Sequence, residues 1–517
     1  MQFTKSLWVL FLVTVVSVGA EPAAASRRTL TLDECVRLAL EHNLDLQISR
    51  YNPKISLFQL DSSYGIYDPL FSLSGTHVSN KGLPGFDPDL GLVTPGSDTE
   101  NDIVSSSVGG LLPWGMSYTL GMNVNDASGN TPRLIPVVDP ITGTTNFVVQ
   151  NFPFNNTQGR VGFTELRQPL MKNFWIDGSR LQIQLDKKNL RGSEIGFRQQ
   201  AMTVVSAVET AYYNLIYSFD QVTVQQKSVE LAARLLAENK KRVEVGALAP
   251  LDEKQAESQL AARKADLLSA QANLTTAQNT LKALLTDDYS FWQALIIEPA
   301  AKLVAVPVAL DLHESWVKAM AQRPDLEQAR LNVDRQSLTL NYQKNQLFPQ
   351  VDVVGSAGYN ASSPDSFHGA FNQWAERDAP FYSFGAQVSI PIGNRAARNS
   401  YRAGKAVKEQ LELQLKQLEQ IAMVTIDNSI VAVRTSFERV TATREARIYA
   451  EAALDAEQKK LENGKSTSFE VLRLQNDLTN ARSQEIRALA DYNISLTVLA
   501  QQEGATLERN KIYWDLH

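Results

Sequence analysis

Apolar and polar residues alternate with two different periods along the chain, and the change of period marks out its elements. After Asp68 the stretch PLFSLSGTHVS, and after Phe348 the stretch PQVDVVGSAGYNA, alternate at every second residue. Each is followed by a Gly/Asn/Asp/Ser/Pro-rich loop and a second such stretch, RVGFTELRQPL or FGAQVSIPI. A period of two predicts strands with one apolar face. Beyond the second stretch the composition changes. No proline occurs between Pro169 and Pro250, or after Pro391, and both regions are rich in the helix formers Ala, Leu, Gln, Glu, Lys and Arg. The run from Ser179 to Val245 predicts a helix of 67 residues, about 100 Å at roughly 1.5 Å per residue. Such a helix must pack lengthwise against others. The next segment supplies a seam, with Leu260, Leu267, Leu274 and Leu281 seven apart and Ala270, Ala277 and Leu284 three residues after the last three. Helical hairpins are expected to reverse at Gly246 and Gly464, where left-handed backbone favours glycine.

The two halves repeat each other, and internal similarity decides architecture before any single residue does. LDECVRLALEHNLDL from Leu32 matches LHESWVKAMAQRPDL from Leu312 at an offset of 280, which also carries Pro69 onto Pro349 and Gly75 onto Gly355. Pro169 meets Pro391 at an offset of 222, and VEVGALAPLDEKQAESQL meets LENGKSTSFEVLRLQNDL at 218, aligning Gly246 with Gly464. The drop from 280 to 222 gives the first copy 58 additional residues between its two strands. The expected boundaries are a first repeat over 29–298, with an enlarged loop over 80–158 and a helical hairpin over 178–286. A second repeat follows over 310–505, with strands over 348–361 and 381–392 and a hairpin over 394–504; a tail over 506–517 closes the chain. Within the enlarged loop Tyr118, Leu120, Met122 and Val124 alternate, so a β-hairpin is expected there, in an extracellular region or as added strands. The first short helix opens with Thr31 and Glu34 in capping-box spacing. Pro53 predicts a kink or a late start in the second.

The N-terminus changes the setting. Lys5 precedes an apolar run from Leu7 to Gly19 and small residues ending in Ala20 or Ala25, which reads as a secretory signal peptide over 1–20, with cleavage alternatively near 25. That run is too short to span a bilayer as a helix, and no comparable run follows. Net charge is −6 with both signs interspersed, without the basic field that nucleic-acid binding needs. Cys35 is the only cysteine, so it forms no intramolecular disulfide or multi-thiolate site and reads as a small buried residue. The five histidines lack ligand spacing, no nucleophile elbow is visible, and the phosphate-loop likeness of Gly464-Lys465-Ser466 fails because Lys459 stands where glycine is required. No catalytic, cofactor or metal site is expected.

Four strands per chain cannot close a membrane barrel, which needs about eight or more, and an open edge in lipid is costly. A chain placed in a membrane must therefore associate with copies of itself. Three copies of four strands would close a barrel of twelve. Tyr67, Phe71, Trp114, Tyr118, Phe381, Tyr382 and Phe384 suit an interfacial girdle. The alternative is an exported periplasmic coiled-coil scaffold, which has no need of strand-loop-strand insertions at matching places in both copies.

The opening LTLDECVRLALEHNLDL, the RQPL strand end before a long helix, and VEVGALAPLDEKQAESQLAARKADLLSAQANL resemble the TolC-like outer membrane efflux proteins. The resemblance runs from about Thr29 to Gly504. It implies a mostly α fold with a small β part, built as a homotrimer: a twelve-stranded barrel in outer-membrane lipid, continued by a long periplasmic α-barrel. It further implies a passive duct in an efflux or type I secretion system, meeting a periplasmic adaptor and an inner-membrane pump of RND or ABC type. Adaptor docking falls on Val245, Gly246, Ala247 and Leu248, and on Asn463, Gly464, Lys465 and Ser466. The family's acidic entrance positions fall on Glu470 and Arg473, with Asp252 at the matching place in the first copy. Arg473 departs from the acidic pattern and can pair with Glu470 or brace neighbouring subunits.

Overall fold

A computed structural model describes residues 27–89, 91–246, 248–364 and 367–512. The expected signal peptide lies outside the described residues. In chain order the elements are β1 (Arg27–Leu30), α1 (Leu32–His42), α2 (Leu44–Tyr64), β2 (Leu70–Lys81), β3 (Gly85–Asp87), β4 (Leu92–Thr94), β5 (Asp98–Leu111), β6 (Ser117–Val138) and β7 (Thr145–Pro169). Then come α3 (Gly178–Glu244), α4 (Pro250–Leu285), α5 (Tyr289–Trp292), β8 (Ile296–Pro299), α6 (Leu312–Gln322), α7 (Pro324–Asn345), β9 (Gln350–Ser363), α8 (Phe367–Glu376), β10 (Pro380–Ser389), α9 (Arg395–Glu462), α10 (Ser468–Gln502) and α11 (Thr506–Arg509). The duplication is visible in the lengths: α1 and α6 both have 11 residues, α3 and α9 have 67 and 68, and α4 and α10 have 36 and 35. Two compact units cut across it, one formed by the described residues within 27–50, 197–324 and 419–512, the other by those within 51–196 and 325–418.

The first unit is helical. Thr31 caps α1 by the expected box: its hydroxyl accepts from the Glu34 amide at 3.2 Å, and the Glu34 carboxylate accepts from the Thr31 amide at 2.9 Å. In the second copy Asp311 caps α6 with its side chain, accepting from the Glu314 amide at 3.0 Å. One core gathers Cys35 and Ala39 of α1, Val208 and Tyr212 of α3 and Leu281 and Leu285 of α4; another gathers Ala319, Ile426, Ile430 and Tyr492. Burial pushes the Cys35 thiol up to about 12, leaving it protonated at neutral pH. The heptad seam of α4 faces inward, with Leu267, Leu274 and Ala277 half-buried and Ala270 and Leu281 buried. No helix among the described residues is long and apolar enough to cross a membrane.

The second unit is built on one antiparallel sheet of six strands, in the order β10-β9-β7-β6-β5-β2. This corrects two expectations. The chain supplies six strands to the sheet where four were expected, and positions 80–158 are not mainly loop, because β5 and β6 lie inside the sheet between β2 and β7. The physical reason is pairing: β5 matches β2 from Leu70↔Gly109 to Lys81↔Asp98 and β6 from Leu111↔Ser117 to Asp98↔Asn130, so β5 is paired along both edges and β6 is paired with β5 and β7 over Ser117–Asn130. Pro53 neither delays nor ends α2, which runs through it.

Residues paired in register share a face. Phe71, Val108, Leu120, Phe163, Ala357 and Tyr382 form one row across all six strands, and Leu73, Ser106, Met122, Val161, Tyr359 and Pro380 form the next. Beyond them lies a polar row, His77, Asp102, Asp126, Thr157 and Ser363, with His77 bonded to Asp102 and Thr157 to Asp126, both at 2.7 Å. The other face is polar, as in the row Ser74, Ser105, Asn123, Arg160 and Asn360. Phe381, expected beside Tyr382 and Phe384, stands on this polar face, 4.4 Å under the Arg160 guanidinium. Helix α8 lies on the apolar face, where Ala370 and Trp374 pack against Val124 and Ala361. Gly159 is required there: a Cβ would stand 2.3 Å from the Trp374 ring.

Candidate functional site at the helix reversals

Each long hairpin turns through a glycine in left-handed geometry, Gly246 at φ 73 and Gly464 at φ 70. At the second reversal the Gly464 amide donates to the Leu461 carbonyl at 3.1 Å and the Lys465 amide to Lys460 at 2.8 Å. Those are the two bonds of a Schellman cap, and they satisfy carbonyls the helix end leaves open. The Asn463 amide group adds a bond to the Lys459 carbonyl at 2.7 Å. At the first reversal the Gly246 amide donates to Val243 at 3.0 Å, and Pro250 starts α4 as its first residue, where its missing N–H costs nothing. Ala247 lies outside the described residues. Val245, Leu251 and Phe469 are 78%, 66% and 57% exposed, and Leu251 and Phe469 are equivalent positions of the two copies. Leu248 is half-buried, and Asn463, Gly464 and Lys465 are exposed.

Electrostatics distinguish the two reversals. Glu470 opens α10 with its amide donating to the Thr467 hydroxyl at 3.4 Å. Its carboxylate accepts from Arg473 at 2.8 and 3.0 Å, and Asp477 stands 3.7 Å from the same guanidinium. One cation thus sits between two anions on one exposed helix face. Ser466 donates to Glu457 at 2.5 Å and Lys460 pairs with Glu457 at 2.8 Å. Lys460 first and Ser466 second hold the Glu457 carboxyl below the usual carboxylate range. At the first reversal Lys254 pairs with Glu257 at 2.8 Å and Lys240 approaches Glu257 at 3.5 Å and Glu253 at 3.8 Å. Asp252 is half-buried, and within the described residues it shares no ion pair with Glu470 or Arg473. Its carbonyl accepts from Asn239 at 3.4 Å.

A seam between the two hairpins was not foreseen. Asn239 of α3 accepts from Ser468 of α10 at 3.0 Å, Thr479 bonds Ser228 at 3.2 Å, and Arg242 donates to the Leu461 carbonyl at 3.3 Å. Leu235, Leu454, Leu461, Val471 and Leu478 form the apolar layer beside it. Asn239 and Ser468 are nearly fully buried, so each needs the other as its partner. Only the polar character of positions 228, 239, 468 and 479 on otherwise apolar stripes hinted at this. Among the described residues no group of His, Cys, Asp or Glu could hold a metal ion.

Duplicated long helical hairpins joined to an antiparallel sheet with one apolar and one polar face define a channel-type outer-membrane subunit. The model of the outer membrane efflux protein family matches residues 174–286 and 316–505. The chain belongs to that family. It is 24% identical over 430 residues to the outer membrane protein TolC of Vibrio cholerae, covering 82% of this chain and 89% of that one. To TolC of Escherichia coli it is 23% identical over 334 residues, 63% of this chain and 66% of that protein. Its fold matches the Campylobacter jejuni CmeC outer membrane channel with a TM-score of 0.63 at 14% identity, over 92% of this chain and 86% of the other.

Proposed function

We propose that the chain is the outer-membrane channel subunit of a tripartite efflux or type I secretion system. It acts as a passive exit duct whose energy comes from an inner-membrane pump of RND or ABC type through a periplasmic adaptor, and not as an enzyme. One observation carries the reading: the sheet is apolar on one face, polar on the other, and open at β2 and β10. In lipid each unpaired backbone group at such an edge costs several kcal/mol. Six alternating strands leave β2 and β10 running in opposite directions, so β2 of one copy can continue the antiparallel ladder of the next. A homotrimer closes the barrel this way. The periplasmic scaffold alternative leaves the part of the apolar face that α8 does not cover, the exposed row with Phe71, Leu120 and Phe163, without an occupant.

The reversals are assigned to the periplasmic end. Exposed Val245, Leu251 and Phe469, with Gly246, Ala247 and Leu248 and with Asn463, Gly464, Lys465 and Ser466, form the docking surface for the adaptor. Asp252, Glu470 and Arg473 line the entrance. Because Arg473 already lies between Glu470 and Asp477 of its own chain, it lowers the negative field that a ring of Glu470 creates. Its removal is expected to raise both closed-state conductance and cation preference. Planar-bilayer recording of Arg473→Ala tests this; unchanged conductance and selectivity would remove Arg473 from the entrance. The repeats are taken to run over 29–298 and 310–505, after a leader over 1–20 and before a tail over 506–517. Oligomeric mass measured on detergent-extracted protein tests the assembly, with three chains expected.

A further inference from the structure

We infer that the inserted strands β5 and β6 are part of the membrane-spanning wall, so that each subunit contributes six strands to the outer-membrane pore. The inference rests on the duct reading above. Three copies of the six-stranded sheet then make a barrel of eighteen strands. Barrel diameter grows about linearly with strand number, so the outlet is roughly one and a half times as wide as one made from four strands per chain.

Three observations support it. First, the apolar rows do not stop at the insertion. Val108 and Leu120 continue the row from Phe71 to Phe163, and Met122 continues the row from Leu73 to Val161. Helix α8 covers the level of Met122 and Val124, but Val108 and Leu120 lie outside that cluster, and a hairpin standing in water has no reason to carry them at the level set by its neighbours. Secondly, the polar row at His77, Asp102, Asp126 and Thr157 crosses the inserted strands at the same height as the flanking ones. The edge of the apolar band is therefore common to old and inserted strands. Along β9 the band runs from Val351 to Ala361, matching the roughly 9–11 residues of a tilted spanning strand. Thirdly, prolines respect the boundary. β5 has none, and Pro132, Pro136 and Pro153 all lie beyond Asn130 and Thr157, where β6 and β7 have lost their outer partners β5 and β9. Proline is confined to edges because it cannot donate to a ladder. The stretch of β6 and β7 past those residues is a two-stranded ribbon above the wall, ending in the turn Asp139–Thr144.

The polar face of the inserted pair offers Ser105, Ser107, Asn123 and Asn125, small neutral groups that suit an aqueous lumen. The inserted pair adds width and no charge to that face, whose arginines, Arg160 and Arg167, stand on the flanking strand β7.

Cysteine accessibility in intact outer membranes tests the inference, because the native Cys35 is buried and protonated. A membrane-impermeant maleimide is expected to label Asn123→Cys at least ten-fold faster than Val108→Cys or Leu120→Cys. If Val108→Cys and Leu120→Cys label as fast as Asn123→Cys while Phe384→Cys on the flanking strand stays protected, the insertion is outside the membrane and the inference falls. If Phe384→Cys labels equally fast, the duct reading beneath it falls instead. An electron-microscopy reconstruction of the unmodified protein needs no variant: eighteen strands around the axis are expected, and twelve would overturn the inference.

Discussion

The two copies of the duplication agree in their helices and disagree in their strands. The long helices differ by one residue between copies, 67 against 68 and 36 against 35, and both hairpins turn through a left-handed glycine at equivalent places. The strand regions differ by a whole hairpin, four strands in the first copy against two in the second. Packing explains the contrast. A helix held along its length by partners cannot gain a residue inside its packed stretch, as opposed to at an end, without rotating every later contact by about 100°. A sheet accepts an inserted hairpin at the cost of two new ladders, provided that its faces match its neighbours. Equivalence between the copies is therefore strict where helices pack and loose where strands pair.

The largest test of that equivalence is in the core. Leu46 and Leu326 occupy matching positions and are fully buried. Leu46→Ala and Leu326→Ala are each expected to cost about 2–5 kcal/mol, read as a lowered melting temperature of the detergent-solubilised protein. A cost confined to one of them would break the equivalence. Next is the strand seam between copies, where β7 of the first meets β9 of the second. Arg167 pairs there with Asp352, which is 1% exposed, through its Nε at 2.9 Å and a second contact at 2.5 Å. Arg167→Ala leaves the carboxylate buried without its cation; since the arginine is itself partly exposed, a loss of about 2 kcal/mol is expected, below the roughly 3–5 of a fully buried pair. Asp352→Asn in the same background should restore part of it.

Smaller effects belong to the reversals. Gly246→Ala and Gly464→Ala place a Cβ on left-handed backbone with open space around it, so strain alone should cost about 1–2 kcal/mol in each. Unequal losses in thermal unfolding would show that the reversals are not equivalent. The smallest effect is a pH dependence of the second copy's helix cap. Asp311 caps α6, and the Glu314 and His313 amides hold its carboxyl below the usual range. A depressed folded-state pKa contributes stability above the unfolded value, near 4, and that contribution is lost as pH falls through the folded value. Melting curves of wild type and Asp311→Asn should thus converge as pH falls below about 4. Curves that stay parallel would deny the cap its charge dependence.

How much could be read from the chain follows the same division. The 67-residue helix, the glycine reversals, the capping box and the heptad seam were legible, because each depends on residues within a few positions of one another. The Glu470–Arg473 pair was legible for the same reason, three residues being one helical turn. The full extent of β5 was not. Its sequence DTENDIVSSSVGGL carries one apolar face made of Val104 and Val108 among Ser and Gly, and the alternation of a wall strand with a polar lumen side is a weak signal. The seam Asn239–Ser468 was hidden differently, by a separation of 229 residues that no local pattern spans. Phe381 shares the aromatic character of Tyr382 and Phe384 but not their face, because adjacent residues of a strand face opposite ways.

A duct subunit must form a pore once assembled in a bilayer. Detergent-extracted protein reconstituted into planar bilayers is expected to insert in discrete, ion-conducting steps, with current enlarged in Arg473→Ala. Protein that stays in the aqueous phase when detergent is removed, and gives no steps at any concentration, would contradict the duct reading.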